Sequence, residues 1–197
     1  MDLQIQKLSK KHLPMVNAFS CIETQQHLSQ YNSKQRRRIL KHSKEMDSFL
    51  KTEAYKEQED GLNTTHLLID TETNKIAAYI SLCNDSIRLD FSEQDKTGYS
   101  YTTIPSLKIA RLAVSTDYQH HGIGKLLLQF SAYIGIQLRK LSGVVFVTLD
   151  CYKHRLSFYK SIGFVENVIQ PIVLPYDTLI SMRLDLKEYL SQMARNK

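Results

Sequence analysis

The chain has 197 residues, 42% of them apolar and 23% charged, enough to build one proper core as a single domain spanning 1–197. Its net charge is +6; no apolar run approaches the ~20 residues of a membrane span, and Asp2, Gln4 and Gln6 interrupt the place of a signal-peptide core, so a soluble cytoplasmic protein with no membrane partner is expected. The three cysteines, Cys21, Cys83 and Cys151, are widely separated and lack Cys-x-x-Cys spacing, which speaks against a disulfide framework and a structural zinc site; they read as reduced and structural.

Leu3, Ile5 and Leu8 alternate imperfectly with polar residues, which predicts a short strand over residues 2–8 before a helix near Lys11–Phe19. Residues 22–60 are polar, with Ile39, Leu40, Met46, Phe49 and Leu50 spaced like one helical face. The basic run Lys34-Gln-Arg-Arg-Arg38, with Lys41 and Lys44 on following turns, reads first as the solvated face of that helix and second as a phosphate-binding patch. Thr65–Asp70 and Lys75–Cys83 are apolar runs separated by Thr71-Glu-Thr-Asn74, the pattern of two antiparallel strands and a turn. Asn84 to Thr103 is polar and aperiodic and is predicted as a long loop.

Leu107–Val114 is predicted as the central strand. The helix after it carries apolar residues at 123, 126, 127, 130, 134, 138 and 141, which predicts one continuous core-facing stripe. The strand 144–149 is then expected to lie parallel to 107–114, because the intervening helix supplies the crossover that a parallel pair requires. A helix over 153–161 ends at Gly163, suited to a left-handed cap, and a final strand Thr178–Leu186 completes a mixed α/β sheet.

The junction Arg111-Leu-Ala-Val-Ser-Thr-Asp-Tyr-Gln-His-His-Gly-Ile-Gly-Lys125 carries the most chemistry. It joins a strand to a helix through a loop bare of bulky side chains. The first N–H groups of a helix have no partner within it, and the macrodipole adds positive charge there. Gly122 and Gly124 let an anion approach that backbone, and Lys125 sets a cation beside it. A P-loop would need glycine at Gln119 and a hydroxyl at Leu126, and a dinucleotide fingerprint would need glycine at Leu127, so neither motif fits.

What remains, Gln119-x-x-Gly122-x-Gly124, resembles the Gln/Arg-x-x-Gly-x-Gly/Ala loop of the GNAT acetyltransferase superfamily, whose backbone amides hold the pyrophosphate of acetyl-coenzyme A. Val144-Val-Phe-Val-Thr-Leu149 and Ser157-Phe-Tyr-Lys-Ser-Ile-Gly-Phe164 match two further family segments at the right distances. The resemblance covers roughly residues 104–165. It implies a mixed, mostly antiparallel central sheet flanked by helices, with a parallel strand pair that splays at its carboxyl ends. It further implies that Leu112, Ala113 and Val114 pair with the pantetheine arm, that Gln119, His120, His121, Gly122, Ile123, Gly124 and Lys125 hold the phosphates, and that residues 22–60 shape the acceptor side.

Acetyl transfer to an amine needs a neutral nitrogen, a polarised carbonyl and a proton for the leaving thiolate. The resemblance places Tyr159 as the general acid, and a phenol with an ordinary pKa of about 10 is protonated at neutral pH. The base is left open between Asp150, at the end of the second parallel strand, and His120 or His121; many relatives carry a glutamate on the central strand, and Leu107–Val114 has none. Arg155 departs from the small residue the family often has four positions before its tyrosine. His27, His42, His66 and His154 lack metal-ligand spacing, so no metal is expected. Phe19-Ser-Cys21, Phe49-Leu50, Ala54 and Arg111-Leu-Ala-Val resemble a branch that includes toxins acetylating aminoacyl-tRNA. The expected partners are therefore acetyl-CoA and an amine acceptor, with RNA, a small polyamine or a protein amine as alternatives; a homodimer and a non-catalytic acyl-CoA or RNA-binding module also stay open.

Overall fold

Apolar alternation at the amino terminus forms β1 (Leu3–Lys7), which pairs antiparallel with β2 (Thr64–Asp70) from Leu3 opposite Asp70 to Lys7 opposite His66. The computed structural model describes residues 1–170 and 179–195. Its seven-stranded sheet has the order β1-β2-β3-β4-β5-β7-β6, with β3 (Lys75–Arg88), β4 (Thr103–Val114), β5 (Phe146–Tyr152), β6 (Val165–Glu166) and β7 (Leu179–Asp185). The β4–β5 pair is parallel and β5–β7 antiparallel, the mixed sheet expected from the sequence. Backbone contacts divide the chain into one unit of Met1–Leu82 with Arg111–Leu127 and a second of Cys83–Ala110 with Leu128–Lys197.

In the first unit the helix expected near Lys11–Phe19 is shorter: a 3-10 turn (Lys10–His12) leads into α1 (Leu13–Val16), and the N–H of Phe19 closes back on Val16. The tight end turns Phe19 into the core with Val16, Leu50, Leu67 and Tyr79. The polar stretch 22–60 is helical, as α2 (Gln25–Leu28), α3 (Ser33–Thr52) and α4 (Ala54–Glu59). Asn32 and Gln35 form a reciprocal capping box that starts α3, satisfying two orphan donors at its first turn. Tyr79, fully buried, stacks on Phe49, meets Phe19 edge-on and donates its hydroxyl to the Met46 carbonyl at 2.7 Å, so a polar atom enters this core without cost.

In the second unit the expected loop 84–103 is corrected. β3 continues to Arg88, and α5 (Phe91–Thr97) follows. Asp90 caps α5 and Glu93 returns the bond, an Asp-x-x-Glu signature that was legible in the sequence. Glu93 also pairs with Arg183, whose guanidinium lies over the Phe146 ring, and Ile87, Leu89, Ile104 and Phe146 form the local core. The helix expected over 153–161 begins as a 3-10 turn and becomes α7 (Leu156–Lys160); Gly163, at φ +101°, provides the left-handed stop. β7 runs to Asp185 and is followed by α8 (Leu186–Arg195), which the sequence reading passed over, as it did the two-residue β6. The expected start of that strand, Thr178, lies outside the described residues.

The crossover helix α6 (Ile123–Leu141) buries a face shifted from the expected stripe, keeping Ile123 and Leu127 in the core and leaving Phe130, Ile134 and Leu138 half-buried. Ile123, Leu127, Leu128, Ser131, Ala132 and Gly135 are buried, whereas Leu126 and Leu141 are exposed. Small residues were invisible to a count of large apolar ones, yet they let the helix approach the sheet. A Cβ on Gly135 would lie 2.9 Å from Leu186 Cδ1 and 3.3 Å from Val147 Cγ2. Gly135→Val is therefore expected to destabilise the fold by about 1–3 kcal/mol through overpacking. Urea unfolding checks this; an unchanged midpoint overturns it.

Candidate active site

The parallel ladder between β4 and β5 runs only from Ser106 opposite Phe146 to Ile109 opposite Leu149. β4 itself continues to Val114 and β5 to Tyr152, beyond these paired residues. Leu112, Ala113 and Val114 lie on this continuation, with Ala113 buried in the core of the first unit.

The loop after β4 is anchored at three points. Ser115 N–H donates to the Ala77 carbonyl at 2.8 Å, Thr116 N–H to the Ser20 carbonyl at 2.9 Å, and the Tyr118 hydroxyl to Asp70 Oδ2 at 2.8 Å. The Tyr118 hydroxyl, first, and then Thr73 hold the Asp70 carboxyl below its ordinary range, against the effect of its burial. Gln119 reaches back, its Nε2 donating to the Val114 carbonyl at 3.4 Å. The backbone turns left-handed at His120 (φ +65°) and Gly122 (φ +78°). For His120 that conformation costs of order 1–3 kcal/mol, which the anchored flanks must supply. A Cβ at Gly122 would meet nothing within 4 Å, so its glycine answers to backbone conformation and not to packing.

The first helical bond of α6 is Leu126 N–H to the Gly122 carbonyl, at 3.1 Å. The N–H groups of Ile123, Gly124 and Lys125 thus belong to the first turn, which has no intrahelical acceptors for them. His120, His121, Gly122 and Lys125 are exposed beside it, while Ile123 is a core residue whose contribution is its backbone. A helix start of this kind, with its dipole and a neighbouring ammonium, is suited to an anion. Tyr118→Phe removes one anchor without touching these groups, so affinity for a phosphate ligand is expected to fall a few-fold with little change in melting temperature. Titration calorimetry decides this, and unaltered affinity overturns the anchoring role.

Tyr159 belongs to the second unit, on α7. Its ring meets Phe158 and Phe164 edge-on at 5.2 and 6.0 Å, and its carbonyl accepts the Phe164 N–H that follows the Gly163 turn. The side chain keeps some exposed surface, yet burial pushes its phenol up to about 12, with Cys151 adding to the rise and Arg155 opposing it. Cys151 is itself buried, its thiol pushed up to about 11 chiefly by that burial and its sulfur set 3.5 Å from Met182 Sδ, so it is a packing residue and no nucleophile. Cys21 is pushed up to about 12 for the same reason.

Asp150 is an ion-pair partner. Lys108 Nζ donates to its Oδ2 at 2.7 Å, with both side chains about a quarter to a third exposed. Burial works against the Lys108 charge, but the bond and charge of Asp150 outweigh it and hold the ammonium above its ordinary range. Thr148 donates to Asp85 at 2.9 Å beside them. The sequence reading missed Lys108, although a lysine inside the apolar run 107–114 is itself a signal of a buried partner. In the first unit, the ring of His120 lies 6.3 Å from that of His27, another residue the reading passed over as a ligand. No helix among the described residues is long and apolar enough to cross a membrane.

Residues 63–166 match the acetyltransferase (GNAT) domain family. Among solved structures, AtaT complexed with acetyl-methionyl-tRNA is 18% identical and superposes with a TM-score of 0.74, covering 98% of this chain and 99% of that one. A Tyr-to-Phe mutant of KacT is 16% identical, with a TM-score of 0.71 over 98% and 99%. An AtaT mutant toxin bound to the C-terminus of the antitoxin AtaR and acetyl-CoA is 18% identical, with a TM-score of 0.64 over 95% and 96%. These likenesses establish the fold over nearly the whole length. Because the family match spans more than half of the 197 residues and takes in both the glycine loop and the tyrosine helix, this chain belongs to the GNAT acetyltransferase family.

Proposed function

We propose that the chain acts as one cytoplasmic N-acetyltransferase domain, moving the acetyl group of acetyl-CoA directly to a primary amine, and that this amine is the α-amino group of an aminoacyl-tRNA. The observation that carries the donor assignment is the anchored loop, which ends in the first turn of α6. Gln119 to Lys125 bind the donor's pyrophosphate through backbone N–H groups and the Lys125 ammonium, and Leu112–Val114 pair with the pantetheine amides. Tyr159 donates a hydrogen bond to the sulfur as the C–S bond breaks and the N–C bond forms. The phenol, which burial pushes up to about 12, stays protonated at neutral pH and serves as the proton donor to the leaving sulfur, regaining its proton from the acceptor nitrogen, which sheds one as the amide forms.

The acceptor assignment draws on chemistry and charge. Asp150 is held by Lys108 and is a poor base for a lysine-like ammonium. An α-amino group, with an ordinary pKa of about 8, is already neutral in roughly a tenth of molecules at pH 7, so it demands far less of a base. The face of α3 carrying Lys34, Arg37, Lys41 and Lys44 is exposed and suits a polyanion, and AtaT, similar along its whole length, was solved with acetyl-methionyl-tRNA. Arg36 contributes structurally instead: its guanidinium donates to the Tyr31 and Ser29 carbonyls at 2.6 and 2.8 Å.

Transfer of labelled acetyl groups from acetyl-CoA into charged tRNA, proteins and small amines, kept as separate pools, tests both parts. Label in charged tRNA is expected. Label only in protein or small amines rejects the tRNA acceptor, and no label in any pool with CoA still bound points to a binding module.

A further inference from the structure

We propose that His27, oriented by the buried carboxylate of Glu23, is a further contact for the donor's phosphate groups, a cationic wall beside the loop 119–125; the inference rests on the acetyl-CoA reading above. Glu23 keeps 4% of its side chain exposed, and its backbone N–H donates to Ser43 Oγ at 3.1 Å. Its Oε2 accepts a hydrogen bond from Nδ1 of His27. A carboxylate buried to this degree is costly unless a donor or an opposite charge faces it, and His27 provides both when charged.

The imidazole is held from several sides. Thr24 caps α2 by accepting the His27 N–H at 3.3 Å, and the Tyr31 ring stands edge-on to His27 at 6.0 Å. Arg36 fixes the turn that carries Tyr31. On its remaining side His27 meets the His120 ring at 6.3 Å and an interplanar angle of 71°. His120 is the left-handed residue of the loop proposed to hold the phosphates, which sets the ring of His27 beside that loop. Its side chain is 23% exposed.

An imidazole that gives Nδ1–H to a carboxylate and Nε2–H to a phosphate oxygen carries a proton on each nitrogen. Glu23 thus sets which nitrogen faces the ligand, and His27 supplies a directed N–H that the loop amides alone do not.

The experiment measures CoA binding by the full chain, together with steady-state turnover of acetyl-CoA and of acetyl-pantetheine, which lacks the phosphates. His27→Gln is expected to weaken CoA binding about 10-fold, the loss of one hydrogen bond to a charged group, while KM for acetyl-pantetheine stays unchanged. His27→Arg, which restores a cation, is expected to recover most of the affinity; a packing role for histidine would not be rescued this way. Unchanged CoA affinity in His27→Gln, or equal losses with both donors, overturns the proposal. Gly124→Glu is the control for the loop. If it binds CoA as well as wild type does, the loop assignment fails; if it loses CoA while His27→Gln matches wild type, the loop stands and the role of His27 falls.

Discussion

Tyr159→Phe is expected to lower kcat by about 10²- to 10⁴-fold, the usual worth of a positioned proton donor, while leaving CoA affinity close to that of wild type. The substitution deletes one hydroxyl and keeps the ring that packs against Phe158 and Phe164, so the fold should survive it. A binding module would be indifferent, which makes the comparison decisive between the two classes. Burial also fixes a sign. With the phenol raised to about 12, Tyr159 stays protonated through about pH 10, and the wild-type rate has no basic limb below that from this group. The rate should instead climb from pH 6 towards pH 9 as the acceptor amine loses its proton. Stability follows the same linkage: the raised phenol contributes fully below its unfolded value near 10, and the contribution is lost as pH rises through the folded value of about 12. Tyr159→Phe should therefore lose less stability than wild type between pH 10 and 12. A kcat within a factor of about three of wild type would remove Tyr159 from the proton-donor role, since a true donor lies well outside that range.

Gly124→Glu should have the second large effect, raising Kd for CoA by about 100-fold or more, beyond the loss of a single charged hydrogen bond. The new carboxylate would stand at the first turn of α6, where a helix start offers its unpaired N–H groups and its positive dipole end to an anion. It would itself be attracted there, so the helix should keep its stability while the ligand is excluded. Gly124→Ala separates charge from bulk: it adds a methyl group alone and should cost less affinity. Calorimetric titration with CoA and a thermal melt of each variant read both quantities. Affinity in Gly124→Glu equal to that of wild type would place the phosphates elsewhere.

The backbone of the glycine loop was legible because everything that makes it is local. Gly122 supplies a left-handed backbone, the strand before it and the helix after it are set by neighbouring residues, and the amides of Ile123, Gly124 and Lys125 are left without intrahelical acceptors by the act of starting a helix. The short helix that carries Tyr159 and its Gly163 stop were legible on the same ground, five consecutive positions that fold on themselves. The α5 cap at Asp90 and Glu93 was equally local and was overlooked among polar residues, and the buried face of α6 was misplaced because Ser131, Ala132 and Gly135 pack by smallness.

What the sequence by itself determined is thus the family, the left-handed turn before α6 and the parallel strand pair that α6 connects, since short-range backbone geometry and hydrophobic period write these into contiguous residues. Only the tertiary structure decided which side chains meet: Lys108 with Asp150, Tyr118 with Asp70, Thr148 with Asp85, and His27 between Glu23 and His120. Those pairings depend on strand register and on the seat of each helix against its neighbours. A single chain of residue types carries that information only after its core has closed and removed the alternatives.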